Sequence, residues 1–142
     1  MFRKMRRAEK KAIPNEETIR LLQESKRGVL AVAGDDDYPY AVPVNYYYDA
    51  AAGKIYFHSS LAGHKVDAMK RNPKICFTVY GDPEIKDLDW APYVKSAVVF
   101  GKAQPVADPE KKRAVLKTFA MKYYPMKRRL TRRSSWIFGR CR

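Results

Sequence analysis

Residues 55–80 read IYFHSSLAGHKVDAMKRNPKICFTVY, and their pattern decides the fold. The stretch opens with a β-rich run over 54–59 and closes with an alternating run over 74–81, each typical of a strand. Between them, a loop rich in serine leads into 64–72, where Val66 and Met69 have helical spacing. Asn72-Pro73 ends that helix, because proline disfavours helical geometry in the residue before it. The order is strand, loop, helix, strand.

The flanking sequence adds three more strands and two helices. Short apolar or aromatic runs separated by polar turns predict the strands 28–34, 38–49 and 96–106. The two prolines within 38–49 favour an edge or bulged strand. Pro14 begins one helix, which Gly28 is expected to end, and Asp108-Pro109 begins another that stops at Pro125. Several short strands with a few helices predict an α+β fold, an antiparallel barrel decorated by helices.

The charge of the chain is concentrated in its two ends. The chain has 142 residues and a net charge of +14, of which residues 1–11 carry +5 and residues 127–142 carry +7. The middle is close to neutral, which argues against a nucleic-acid-binding face. No apolar run is long enough to span a bilayer, and the basic start lacks the apolar stretch of a secretory signal. Two distant cysteines indicate neither a disulfide framework nor a metal site, so a cytoplasmic location is expected.

The loop over 59–65 has the chemistry of a phosphate site. Ser59, Ser60, His64 and Lys65 supply donors and one firm positive charge at the start of the helix. Unpaired N–H groups at a helix start attract anions. The same residues also suit a solvated serine loop with a surface lysine, and the residues alone leave both interpretations open.

A set of short segments, taken in their order along the chain, resembles the 5-nitroimidazole-resistance (Nim-like) branch of the pyridoxamine 5′-phosphate oxidase-like flavoproteins. The segments are 28–31 (GVLA), 39–46 (PYAVPVNY), 55–59 (IYFHS), 63–65 (GHK) followed by Asn72-Pro73, and 96–103 (SAVVFGKA). Their order and spacing match over residues 1–125. The resemblance implies a Greek-key split β-barrel with peripheral helices, a homodimer, and FMN, or alternatively FAD, bound in clefts at the dimer interface.

The resemblance also implies roles for individual residues. Those expected to contact the flavin are Val42, Pro43, Val44, Asn45, Phe57, His58, Ser59, His64 and Lys65. The residues over 42–45 would lie along the flavin ring, largely through backbone groups, and 57–59 would continue that wall. His64 and Lys65 stand where the oxidases have an arginine-lysine pair for the flavin phosphate. His58 is the residue expected beside both flavin and substrate, and it is the candidate catalytic residue.

The C-terminal end departs from the family pattern. The family ends in a last strand rich in valine and isoleucine, whereas residues 127–142 are basic and only Trp136-Ile137-Phe138 has a strand-like composition. We therefore expect a flavin-binding domain over 1–126, an atypical tail over 127–142, and a last strand that is missing or altered. A missing strand would leave an open sheet edge.

Three functions compete on this basis. The first is an FMN-dependent oxidoreductase that reduces small aromatic acceptors such as nitroimidazoles, the flavin carrying the electrons. The second is a flavin- or haem-binding module without turnover, with His58 or His64 as a ligand. The third, a nucleic-acid-binding protein that uses its basic ends, is disfavoured by the near-neutral middle.

Overall fold

The computed structural model describes residues 2–88 and 90–124, together with the backbone of 134–138. The helices in these residues are α1 (Ala8–Lys11), α2 (Asn15–Glu24), α3 (His64–Arg71) and α4 (Pro109–Tyr123). The strands are β1 (Arg27–Ala33), β2 (Pro39–Asp49), β3 (Lys54–Ser59), β4 (Lys74–Tyr80), β5 (Ser96–Pro105) and β6 (Ser134–Phe138). The strand and helix predictions over 14–124 are confirmed to within a few residues, whereas the four-residue α1 was not predicted.

The strands form a closed antiparallel barrel in the order β1-β2-β3-β6-β5-β4. β2 and β5 each take part in two sheets, one with β1 and β4 and one with β3 and β6. The helices lie outside the barrel, and α2 and α4 contact β2. The α+β split barrel predicted from the sequence is confirmed.

The last strand is present. β6 is five residues long and pairs with β3 on one side and β5 on the other. Of the two expected alternatives, a missing or an altered last strand, the structure excludes the missing one: the short segment that includes residues 136–138 provides enough backbone to close the barrel. The rest of the basic tail, and the domain boundary expected at residue 126, lie outside the described residues.

Burial alternates along β2 and shows which of its side chains face the inside of the barrel. Tyr46 and Tyr48 point inward and are 0% and 7% exposed, while Tyr47 lies on the outer face, where its ring stacks on Tyr56. This is the two-residue period of a strand with one face in a core. The prolines of β2 fall in the half of the strand that pairs only with β1, as expected for an edge-like segment.

Gly28 does not end helix α2 as expected. The helix stops at Ser25, and Gly28 lies within β1. A Cβ placed at Gly28 would overlap the ring of Phe77, so the glycine is there because the aromatic ring fills its side-chain space. Among the described residues, none of the helices is long and apolar enough to cross a membrane.

Candidate functional site

The barrel splits where β2 changes partner. Residues 39–45 of β2 pair with β1 and end at the pair Arg27↔Asn45, whereas pairing with β3 begins at Tyr46↔Phe57. The next pair along the β2–β3 ladder would be Asn45 with His58, and it does not form. The β3-facing edge of this part of β2 is thus left without a described strand partner, and a cleft opens there.

The hydroxyl of Tyr123 ends the β1–β2 ladder. It accepts a hydrogen bond from the Tyr46 N–H at 2.8 Å and lies 2.6 Å from the Tyr46 carbonyl and 2.5 Å from the Lys26 carbonyl, to which it can donate. It therefore occupies the position of the next backbone pair, Lys26 with Tyr46. The last turn of α4 thus fixes the point at which the two sheets separate.

Lys122, the neighbouring residue on α4, completes this junction. Its Nζ donates to the Ser25 carbonyl at 2.7 Å and lies 4.3 Å from the centre of the Tyr46 ring. Burial lowers the pKa of the Lys122 ammonium to about 8. The Tyr46 hydroxyl donates to the Leu22 carbonyl at 2.6 Å, so α2 and α4 are both tied to the strand at the split.

The cleft at the split has a volume of about 320 Å³. Its lining residues are Arg27, Pro43, Val44, Asn45, His58 and Lys65. A larger cleft of about 710 Å³ shares Arg27 and Pro43 with it and continues past Val29 to Tyr80. The two clefts therefore meet at Arg27. The smaller one has two cations in its lining, whereas the larger one combines Val29 and Tyr80 with the charged side chains of Glu24, Lys26 and Asp82.

The start of α3 places Lys65 in the cleft. Gly63 precedes the helix with φ of 125°, a conformation that favours glycine, and its carbonyl accepts from the N–H groups of Val66 and Asp67. Val66 and Met69 are buried against the barrel, which fixes the rotation of the helix. Lys65 is half-buried in the first turn, where the helix dipole also favours an anion.

Arg27 is a cleft residue that sequence reasoning missed. It is the first residue of β1 and comes to the cleft through its pairing with Asn45. Neither Arg27 nor Lys65 forms an ion pair with another described residue. Two cations and the Asn45 amide therefore line one small cleft. A basic residue just before a predicted strand was the available signal, but its meaning depends on the strand register.

His58 lies between the cleft and α4. Its ring meets that of Phe119 edge to face, with centres 4.7 Å apart, and Phe119 in turn packs on Tyr123. The two aromatic residues of α4 thus hold the imidazole at the wall of the cleft. This position lets an imidazole nitrogen donate to or accept from a bound ligand.

Five of the nine predicted flavin-contacting residues line the cleft, and four do not. Val42 packs against the core, Phe57 is 1% exposed inside the barrel, and Ser59 is 4% exposed. His64 stacks on Tyr40 with ring centres 4.1 Å apart, and its Nε2 lies 3.6 Å from a carboxylate oxygen of Asp35. His64 and Lys65 are adjacent in sequence but do not line the cleft together.

The family model of pyridoxamine 5′-phosphate oxidase matches residues 14–136, most of the chain and all of the site. The chain belongs to the pyridoxamine 5′-phosphate oxidase family. The family match covers every strand of the barrel up to the middle of β6. No protein of curated function matches the chain in sequence.

Solved structures share the fold of this oxidase-family chain at low identity. A candidate 5-nitroimidazole antibiotic resistance protein from Bacteroides thetaiotaomicron is 20% identical, with a TM-score of 0.77 over 89% of this chain and 79% of that one. An FAD-binding protein from Mesorhizobium loti is 20% identical, with a TM-score of 0.64 over 92% and 91%. An FAD- and haem-binding protein from Mycobacterium smegmatis is 17% identical, with a TM-score of 0.73 over 89% and 66%.

Proposed function

We propose that this chain binds FMN at the split of the barrel and reduces small aromatic acceptors, nitroimidazoles among them. The observation that carries the proposal is the convergence of Arg27, Lys65 and Asn45 on one cleft. A phosphate monoester carries a charge of about −1.5 to −2 at neutral pH, so two cations and an amide donor suit it. The oxidase family and its FAD-binding structural relatives support a flavin as the ligand.

Each part of the cleft would meet a different part of the flavin. Arg27 and Lys65 would hold the phosphate. The β2 edge over 43–45 has no described β3 partner, which leaves backbone groups for the polar edge of the ring. His58, held by Phe119, would stand where it can orient an acceptor or move a proton. When bound, a flavin supplies electron transfer from a reduced donor to an acceptor.

We also propose a homodimer, built on the outer face of β1, β4 and β5. Cross-strand neighbours there are Ala31, Cys76 and Phe100 in one row and Val29, Thr78 and Val98 in the next. Val98 and Phe100 are 54% and 44% exposed. A contiguous apolar face of this kind favours a partner, and two-fold symmetry is the commonest arrangement. Val29 also lines the larger cleft, so a second copy on this face would border the flavin.

Alanine substitutions at the two cations test the phosphate site. Lys65→Ala and Arg27→Ala should each weaken FMN binding by about 1.5–3 kcal/mol, the contribution of a charge-assisted contact. Affinity for riboflavin, which has no phosphate, should stay nearly unchanged. Lys70→Ala is the matched control, because Lys70 is exposed on the same helix. Equal losses for both ligands, or none for either, would remove the phosphate assignment.

Turnover is tested separately from binding. The FMN complex is reduced without oxygen by dithionite and then mixed with a nitroimidazole. Recovery of the oxidised flavin absorbance, with consumption of the nitro compound, supports the oxidoreductase. A flavin that stays reduced would instead favour a binding module without turnover.

The haem-binding alternative has one specific observation in its favour. The similar structure from Mycobacterium smegmatis binds haem as well as FAD, and His58 lines the cleft of this chain. An absorption spectrum after addition of haem decides the matter. A sharp Soret band that His58→Ala abolishes would support haem ligation, and an unchanged haem spectrum would dismiss it.

A further inference from the structure

An acidic hairpin extends from the end of β4 and β5. We call residues 82–94 the acidic arm: they contain four carboxylates and one lysine, a net charge of −3 in a chain of net charge +14. Glu84 and Tyr93 pair through two backbone hydrogen bonds of 2.8 and 2.9 Å, which fixes the base of the arm. Lys86 lies over the Tyr93 ring, 4.5 Å from its centre.

The tip of the acidic arm presents large apolar side chains to solvent. Ile85 is 80% exposed, Leu88 103% and Trp90 102%. Single exposed apolar residues are ordinary, but three within six positions of one hairpin make a patch. Tryptophan is also among the residues enriched at the hot spots of protein interfaces. The arm therefore has the composition of a docking element.

A matching groove lies at the opposite end of the same sheet face. We call it the basic groove: it has a volume of about 1110 Å³, and Ala31, Cys76 and Phe100 form its apolar floor. Lys74 and Lys102, a cross-strand pair, line it as well, and Asp37 is the one acid among its described lining residues. Neither lysine has an ion-pair partner among the described residues.

The N-terminal segment adds to the positive charge of the basic groove. Phe2 stacks on Phe100 with ring centres 5.1 Å apart and lines the groove itself. This contact brings the basic sequence that begins at Arg3 and Lys4 to the same end of the barrel. The basic groove and the acidic arm are thus complementary in charge, and both are apolar where they would touch.

The acidic arm lies apart from the basic groove of its own chain, since none of the described residues that line the groove belongs to 82–94. β4 has seven residues, so its Lys74 and Tyr80 ends are about 20 Å apart at 3.3 Å per residue. The arm leaves from the Tyr80 end. The Glu84–Tyr93 pair fixes the base of the arm beyond that end of the sheet. The occupant of the groove is therefore sought in another copy.

We propose that in the homodimer each acidic arm docks in the basic groove of the partner. A second copy turned end for end on the β1–β4–β5 face would bring the Tyr80 end of one chain over the Lys74 end of the other. Two-fold symmetry then forms the contact twice. This inference rests on the homodimer of the proposed function and assigns its two anchoring elements, which hold the faces together beside the flavin clefts.

Charge reversal tests the pairing. Lys74→Glu with Lys102→Glu reverses the groove, and Glu84→Lys with Asp87→Lys reverses the arm. Each pair of changes should raise the dimer dissociation constant at least about tenfold in sedimentation equilibrium, because like charges then face each other. A chain that carries all four changes should recover most of the affinity. The charge control is Lys70→Glu with Lys112→Glu, on α3 and α4.

Truncation of the apolar tip gives a second readout. Leu88→Ser should weaken the dimer, whereas Leu61→Ser, at a similarly exposed leucine outside the arm, should not. In a Trp136→Phe background, Trp90 fluorescence should shift to longer wavelength on dilution into the monomer range. Circular dichroism and the urea unfolding midpoint of each variant show that it has folded.

Each result has one meaning for the proposal. A dimer weakened by either reversal and restored by the fourfold change supports the docking. A wild-type dimer that none of the changes affects overturns the docking and leaves the proposed dimer standing. A wild-type chain that stays monomeric overturns both, while its FMN affinity still reports separately on the flavin site.

Discussion

Replacing Tyr123 by phenylalanine removes the hydroxyl at the point where the two sheets separate. That hydroxyl accepts from the Tyr46 N–H and donates to one of two carbonyls, those of Tyr46 and Lys26. The ring itself, packed on Phe119, stays in place. The change is therefore specific to the polar contacts of the junction.

The expected cost follows from the groups left behind. A partly buried N–H without a partner costs about 1–3 kcal/mol, and the donated hydrogen bond contributes about 1 kcal/mol more. We expect Tyr123→Phe to lower the free energy of unfolding by about 2–4 kcal/mol in total. Because Asn45 and Arg27 are held by the same end of the ladder, FMN affinity should fall as well.

Urea unfolding followed by circular dichroism measures the change at a fixed protein concentration, since dimerisation would make the stability concentration-dependent. The matched control is Tyr124→Phe at the next position, where the side chain is 57% exposed. That variant should stay within about 0.5 kcal/mol of the wild type. If the two variants are equally stable, the Tyr123 hydroxyl does not hold the junction and our explanation of the split is incorrect.

Two further predictions concern packing and protonation. Gly28→Ala should destabilise the chain by about 1–3 kcal/mol because its Cβ would overlap the Phe77 ring, and the loss should be smaller in a Phe77→Leu background. The control is Gly81→Ala, which should have little effect because a Cβ there meets Leu21 at 3.4 Å. Equal losses of thermal stability in the two glycine variants would disprove the overlap. Burial lowers the pKa of Lys122 to about 8, so the unfolded chain holds this proton to higher pH than the folded chain does, and wild-type stability should rise relative to Lys122→Met between pH 7 and 9.5. The gain is at most about 2 kcal/mol, because the Ser25 carbonyl and the Tyr46 ring favour the ammonium form of Lys122. Urea unfolding measures it, and a stability difference between wild type and Lys122→Met that does not change with pH would contradict the prediction.

The sequence predicted what depends on local pattern. Strand β3 agrees with its predicted bounds, and the alternation of Tyr46, Tyr47 and Tyr48 indicated which faces inward. Helix α4 begins at the proline after Asp108, whose side chain accepts from the Glu110 N–H as an N-cap. These features follow from backbone preference and hydrophobic period, which act over a few residues.

The missed features depend on register and on side-chain direction. Arg27 reaches the cleft only because β1 pairs with β2 so that it lies opposite Asn45, and no local pattern contains that register. His64 points to Asp35 and Tyr40, which lie beyond its own segment. The final strand was underestimated because it is only five residues long and lies in a basic sequence. Five residues are nevertheless enough to close the barrel, because β6 has a strand partner on each side.

The most direct test of the central claim is isothermal titration of the wild-type chain with FMN, with riboflavin titrated in parallel. We expect about one FMN per chain, bound more tightly than riboflavin, because Arg27 and Lys65 line the cleft without ion-pair partners among the described residues. The preference for FMN should weaken as salt is added, since part of it is electrostatic. A folded sample that takes up no FMN, or that binds riboflavin equally well, would contradict a flavin phosphate site at the split of the barrel.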